Sequence, residues 1–211
     1  MKIINYTNKM MKKVVLIIGI LSMFSCVSNK IKIENYKDQK KALLVIDMQL
    51  DYIGKDGKFT IENNQMENLI NITNEIIEYF HKNNLAIIYF RNIFKDNDFK
   101  NKFRNYAAIE GSLGAEIDPR IIILSENIYD KYSPNAFTNG NFENFLINNQ
   151  INELYLCGVM ADECVYETAM GAFNKGYTVN YYGNAVGSSS IKKIERVIKK
   201  LEKIGINILY Y

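Results

Sequence analysis

The sequence predicts an α/β fold, a three-layer α/β/α sandwich around a mostly parallel, six-stranded sheet. Three observations carry this. Continuous apolar runs of strand length recur along the chain, segments with apolar residues at helical spacing separate them, and the two types alternate from residue 41 to the end. An apolar run with no polar alternation suits a strand covered on both faces, as in a parallel sheet with helices on either side.

The elements follow in order. Ala42-Leu43-Leu44-Val45-Ile46 is the first strand and ends at Asp47. Residues 63–83 carry Met66, Leu69, Ile70, Ile76, Ile77 and Phe80 at helical spacing. Leu85–Phe90 is the second strand, and residues 92–120 are polar and irregular, with room for a short helix. The third strand spans 127–131, a short helix 141–148, the fourth strand 153–159, and a helix 163–174 stops before Gly176. Residues 178–182 form the fifth strand. A helix over 190–203 precedes Gly205, and 206–210 is the sixth strand. Strand–helix–strand order implies right-handed crossovers.

Composition narrows the function. The chain has 211 residues, 48% hydrophobic and 23% charged, which fits a folded domain with a real core. Three cysteines do not make a disulfide scaffold. A single histidine excludes any centre that needs two imidazoles. The net charge of +3 is concentrated at the start, because residues 1–25 hold Lys2, Lys9, Lys12 and Lys13 and no acid, leaving −1 for the rest. Such a body is not a nucleic-acid partner, since phosphate binding needs a dense basic face.

Residues 1–25 read as a signal peptide: Lys12-Lys13, an 11-residue apolar run over 14–24, then Ser25-Cys26. That run is about half of the ~20 residues that span a bilayer. The cysteine resembles the acceptor of a bacterial lipoprotein, which implies acylation of Cys26, a polar tether over 26–40 and a lipid-anchored protein of the cell membrane or outer membrane. Met23 and Phe24 depart from the usual Leu and small residue of that motif. The alternatives are plain secretion and an uncleaved extension on a cytoplasmic enzyme.

In a parallel sheet, ligands bind beyond the carboxyl ends of the strands. Three reactive residues are predicted there: Asp47 after strand one, Lys131 at the end of strand three, and Cys164 after strand four at the start of a helix. A helix N-terminus and a nearby lysine favour a thiolate, and a carboxylate can take the thiol proton. Asp162, Glu163 and Glu167 oppose a thiolate unless they turn away. His81 falls near a helix end at the opposite rim, and Cys157 falls inside a strand as a core residue.

Three segments resemble the isochorismatase-like cysteine hydrolases, the superfamily of nicotinamidases and N-carbamoylsarcosine amidase. Leu43–Tyr52 is similar to their opening strand, Lys131–Phe137 to their lysine segment, and Leu156–Ala169 to their nucleophile motif. Gly114–Pro119 is a weaker match. The resemblance covers about 41–209 and implies a hydrolase domain over 41–211 with a small-molecule substrate, no cofactor, and dimers or tetramers. It implies Asp47 as general base, Lys131 as partner of the carboxylate and thiolate, and Cys164 as nucleophile. It also implies a cis peptide between Val159 and Met160, with the backbone N–H groups of Met160 and Cys164 as an oxyanion hole. Gln49 and Asp51 support the pocket, and Tyr52 is a candidate substrate contact. Nicotinamidases bind a metal after the second strand through aspartate and histidines. Here that stretch reads Phe90-Arg91-Asn92-Ile93-Phe94-Lys95-Asp96, with no histidine, so no metal is expected. The reaction class expected is cleavage of a C–N bond in a small amide or carbamoyl compound through a thioester. A catalytically silent envelope protein and an isochorismatase-type hydrolase are the alternatives.

Overall fold

A computed structural model describes Ile33 and residues 36–211. The expected signal peptide, 1–25, and Cys26 lie outside the described residues. Among the described residues, no helix is long and apolar enough to cross a membrane.

The elements are β1 (Lys41–Ile46), α1 (Leu50–Ile53), α2 (Asn63–Lys82), β2 (Ala86–Asn92), β3 (Ile128–Lys131), α3 (Gly140–Asn148), β4 (Glu153–Val159), α4 (Cys164–Asn174), β5 (Thr178–Gly187), α5 (Ile191–Lys203) and β6 (Asn207–Leu209). The sheet order is β3-β2-β1-β4-β5-β6, and every pairing is parallel. The expected "mostly parallel" sheet is thus wholly so. β5 runs five residues beyond the expected end at 182, with a register shift against β4 between Leu156 and Gly158. The irregular excursion between β2 and β3 holds two short 3₁₀ turns, Phe99–Arg104 and Leu113–Ala115.

Alternation along the central strands explains the layers. Leu44, Ile46, Phe90 and Leu156 pack with Phe142, Val165, Ala169 and Leu201 of α3, α4 and α5. Leu43, Val45, Tyr89 and Cys157 pack on the other face with Leu69, Ile76, Ile77 and Phe80 of α2. Both faces are therefore dry, as the continuous apolar runs require.

Packing begins before Lys41, inside the stretch expected as a tether. Ile33 is buried in the core and Tyr36 packs against it. Asn152 closes the entry, since its Nδ2 donates to Asp38 O and its N–H to Lys40 O. The reason is that Ile33 and Tyr36 are apolar enough to join a core that the polar average of the segment hides.

Candidate active site

Asp47, Lys131 and Cys164 meet at the carboxyl edge of the sheet, brought there from β1, β3 and the turn after β4. Asp47 follows the last residue of β1 with φ +55°, a left-handed conformation that aspartate tolerates better than most residues. Its N–H still donates to Phe90 O, so the chain leaves the ladder just as the carboxylate clears it. Lys131 ends β3 opposite Asn92 of β2, and its side chain is fully buried. Its Nζ lies 2.8 Å from Asp47 Oδ2 and donates to Ser133 O at 3.2 Å. The Cys164 thiol, 6% exposed as a residue, faces both charges. Among the described residues Cys157 and Cys164 are both free, and Cys157 is buried in the core with its thiol toward Leu44 O.

The turn carrying Cys164 is tied down on several sides. Gly158 has φ +120°, and a Cβ there would strike Ile46 O, so only glycine lets β4 lie this close to β1 as it exits. The next peptide, Val159–Met160, is cis. Ala161 N–H donates to Gly187 O, and Tyr181 Oη donates to Ala161 O. Asp162 turns away from the thiol, accepting from Ser188 Oγ and pairing with Lys193 Nζ at 3.0 Å. Glu163 and Glu167 are exposed. Asp162 is thus neutralised away from the thiol, while Glu163 lies on the cavity wall and stays in solvent, where its charge is screened. Among the described residues the backbone N–H groups of Met160 and Cys164 have no protein acceptor, which leaves both free for a ligand oxygen.

The electrostatics differ from the expected thiolate in one respect. Burial, and then the Asp47 carboxylate, push the Cys164 thiol above its ordinary range, against the pull of Lys131. The resting thiol is therefore protonated, and the lysine and helix end alone do not ionise it. Burial also raises Asp47, although Lys131 works against this. Burial works to lower Lys131, but attraction from Asp47 and Cys164 wins and its direction is up. The result is a lysine held in its charged form beside Asp47, whose carboxyl also faces the thiol.

Asp47 and Cys164 line a cavity of about 480 Å³, with Lys131 buried behind the carboxylate. Tyr52 lines it together with Asn92, Phe59, Phe94, Arg104 and Tyr132. The sequence did not single out the last five, because no local pattern says on which side a strand-end amide, a loop aromatic or an arginine lands. Gln49 and Asp51 support the site from outside the cavity. Gln49 accepts from Asn92 N–H and donates to Asn92 O and Ala115 O. Asp51 accepts from the N–H groups of Ala108 and Lys58, and Gly114 leaves room for its carboxylate.

A histidine-based metal centre does not fit this cleft. His81 is exposed in the last turn of α2, away from the cavity residues. Among the described residues no group of three or more His, Cys, Asp or Glu side chains could hold a metal ion. Asn92 offers one neutral oxygen, a weak hard-metal donor by itself.

The profile of the isochorismatase domain matches residues 41–209. An uncharacterized isochorismatase family protein, PncA, of Bacillus subtilis (strain 168) is 30% identical over 162 residues, 71% of this chain and 87% of that protein. Among solved structures, an isochorismatase-like hydrolase from Alkaliphilus metalliredigens superposes with a TM-score of 0.74 at 22% identity, over 81% of this chain and 94% of that one. The pyrazinamidase of Pyrococcus horikoshii in complex with zinc gives 0.73 at 24% identity, over 82% and 99%. The structural likenesses establish a shared fold, and the profile and the Bacillus relative establish descent: the chain belongs to the isochorismatase family and is an isochorismatase-family hydrolase.

Proposed function

We propose that this hydrolase opens a C–N bond of a small amide or carbamoyl compound through a thioester on Cys164. The observation that carries the reading is the convergence of a buried Asp47–Lys131 pair, 2.8 Å apart, with the Cys164 thiol on the wall of one cavity. Asp47 Oδ1 takes the thiol proton as Sγ bonds to the substrate carbonyl carbon. Lys131 holds Asp47 in place and offsets the negative charge that passes to sulfur. The carbonyl oxygen becomes an oxyanion, met by the N–H groups of Met160 and Cys164. As the C–N bond breaks, the leaving nitrogen takes the proton from Asp47. Water then gives a proton to Asp47 and attacks the thioester carbon, and the departing sulfur recovers that proton.

Screening small amides and carbamoyl compounds with the mature chain tests this. Hydrolysis should fall to background in Cys164→Ala, and mass spectrometry of the native enzyme should show an acyl adduct on Cys164. Hydrolysis that survives Cys164→Ala excludes the thioester route. A chain silent on every substrate, with a Cys164 no more reactive than a free thiol, is instead a binding protein built on a hydrolase fold.

The sequence also supports a lipid anchor at Cys26, which would hold the domain at a membrane surface. Metabolic labelling with a fatty acid should mark the native chain and fail in Cys26→Ala. Equal labelling of both ends that assignment.

A further inference from the structure

Asn92 is the one cavity residue whose buried polar atom neither the fold nor the proposed steps use. It ends β2, pairs in register with Lys131, and is 5% exposed. Its backbone is held by both ends of the buried Gln49 amide, at 2.8 and 3.0 Å. The side chain is thus set on a fixed stem at the cavity wall. Its amide faces the Tyr52 hydroxyl, while its Oδ1 is buried and accepts no hydrogen bond from the protein. A buried acceptor without a donor is costly, and native structures keep one mainly where something else supplies the donor.

We propose that Asn92 Oδ1 is a substrate-recognition group that accepts an N–H of the substrate beside the reacting carbonyl. The site therefore selects primary or secondary amides and ureido compounds over esters and other isosteres that lack the hydrogen. This rests on the thioester reading above and deepens it. A metal at this position would select a lone pair, whereas a carbonyl oxygen selects a hydrogen. The absence of histidine ligands beside Asn92 thus changes the kind of substrate, not only the manner of holding it.

The test needs no knowledge of the natural substrate. Iodoacetamide and methyl iodoacetate both alkylate a thiol, forming S–C and releasing iodide, and only the first carries N–H. Second-order rates at Cys164, each divided by the rate for glutathione, give an amide-to-ester preference from which thiol ionisation cancels. The native chain should prefer the amide by roughly fivefold, the size of one net hydrogen bond. Asn92→Leu should bring the preference to within about twofold of glutathione, and Asn92→Asp, which keeps an acceptor at the same place, should retain it. The same preference in all three chains overturns the proposal, as does its loss in Asn92→Asp as well as Asn92→Leu. A native Cys164 no faster than glutathione with either reagent is a different result, because it removes the thioester reading itself and this inference with it.

Discussion

Two aspartates in this molecule are equally hidden from solvent, each beside one cation, and they behave in opposite ways. Asp118 and Asp47 are both 1% exposed. Asp118 Oδ1 accepts from Arg120 N and Nε, and its Oδ2 from Arg120 Nη2 at 2.7 Å. Burial raises this carboxyl, but the bonds from Arg120 outweigh burial and hold it below its ordinary 3.8. The Arg120 side chain stays 37% exposed, so the cation keeps much of its hydration. Asp47 meets a lysine with no exposure at all and keeps an oxygen unpartnered, and its carboxyl is displaced upward from 3.8. The first pair joins a loop to α1 and α2, since Arg120 also reaches Ile53 O and Glu67. In the proposed mechanism the second holds a proton acceptor ready, at the cost of stability. Partner geometry, hydration of the cation and the thickness of protein around the carboxyl together separate the two aspartates.

The largest effect that sharpens this contrast is chemical. Asp47→Asn or Lys131→Ala should slow iodoacetamide alkylation of Cys164 by at least about a hundredfold, the usual scale for losing a positioned base. Asp118→Asn should leave it within about threefold. Rates measured by intact mass would break the comparison if Asp118 mattered as much as Asp47.

A second effect is energetic. Replacing both members of the reactive pair, Asp47→Leu with Lys131→Met, should leave unfolding free energy within about 1 kcal/mol of native or raise it, because a buried ion pair gains little over apolar packing. Replacing the structural pair, Asp118→Asn with Arg120→Met, should cost about 2–4 kcal/mol through its lost hydrogen bonds. Urea unfolding monitored by circular dichroism reads both, and equal losses would erase the distinction.

The smallest effect is in the pH dependence of stability, and the two carboxyls carry opposite signs. Asp118 binds its proton less tightly folded than unfolded, so its contribution is present above 3.8 and is lost as pH falls through its lower folded value. Asp47 binds its proton more tightly when folded, so its contribution is present below 3.8 and is lost as pH rises through its higher folded value. Thermal melts across pH 3–8 should show a flatter acid limb for Asp118→Asn and a higher Tm near neutrality for Asp47→Asn. A steeper acid limb in Asp118→Asn would contradict the assignment.

Much of the site was legible because its members stand at strand ends, and strands announce themselves by apolar runs. Asp47 and Cys164 follow such runs and Lys131 closes a shorter, mixed strand, so the parallel topology put all three on one rim. The cis Val159–Met160 peptide came only through the family resemblance, since nothing in spacing encodes it. The cavity walls were legible as segments, 52–60 and 92–118, but not as individual side chains. Phe59, Phe94 and Arg104 sit in irregular segments with no period, and Arg104 stacks 3.7 Å from the Phe94 ring through a contact no local pattern forecasts. Asn92 stood at the start of the irregular stretch in the sequence, and its place at the end of β2 and its unpaired oxygen depend on neighbours distant in the chain.

Local residue pattern was enough for the order of strands and helices, the faces they bury and the rim where chemistry collects. These follow from local periodicity and the handedness of strand crossovers, which neighbours in the chain settle. The tertiary structure alone decided that the thiol rests protonated, that Asp118 and Asp47 part ways, and that Asn92 keeps a free acceptor. Ionisation and hydrogen-bond satisfaction depend on groups distant in the chain and on the water they exclude, and those are fixed only when the chain closes on itself.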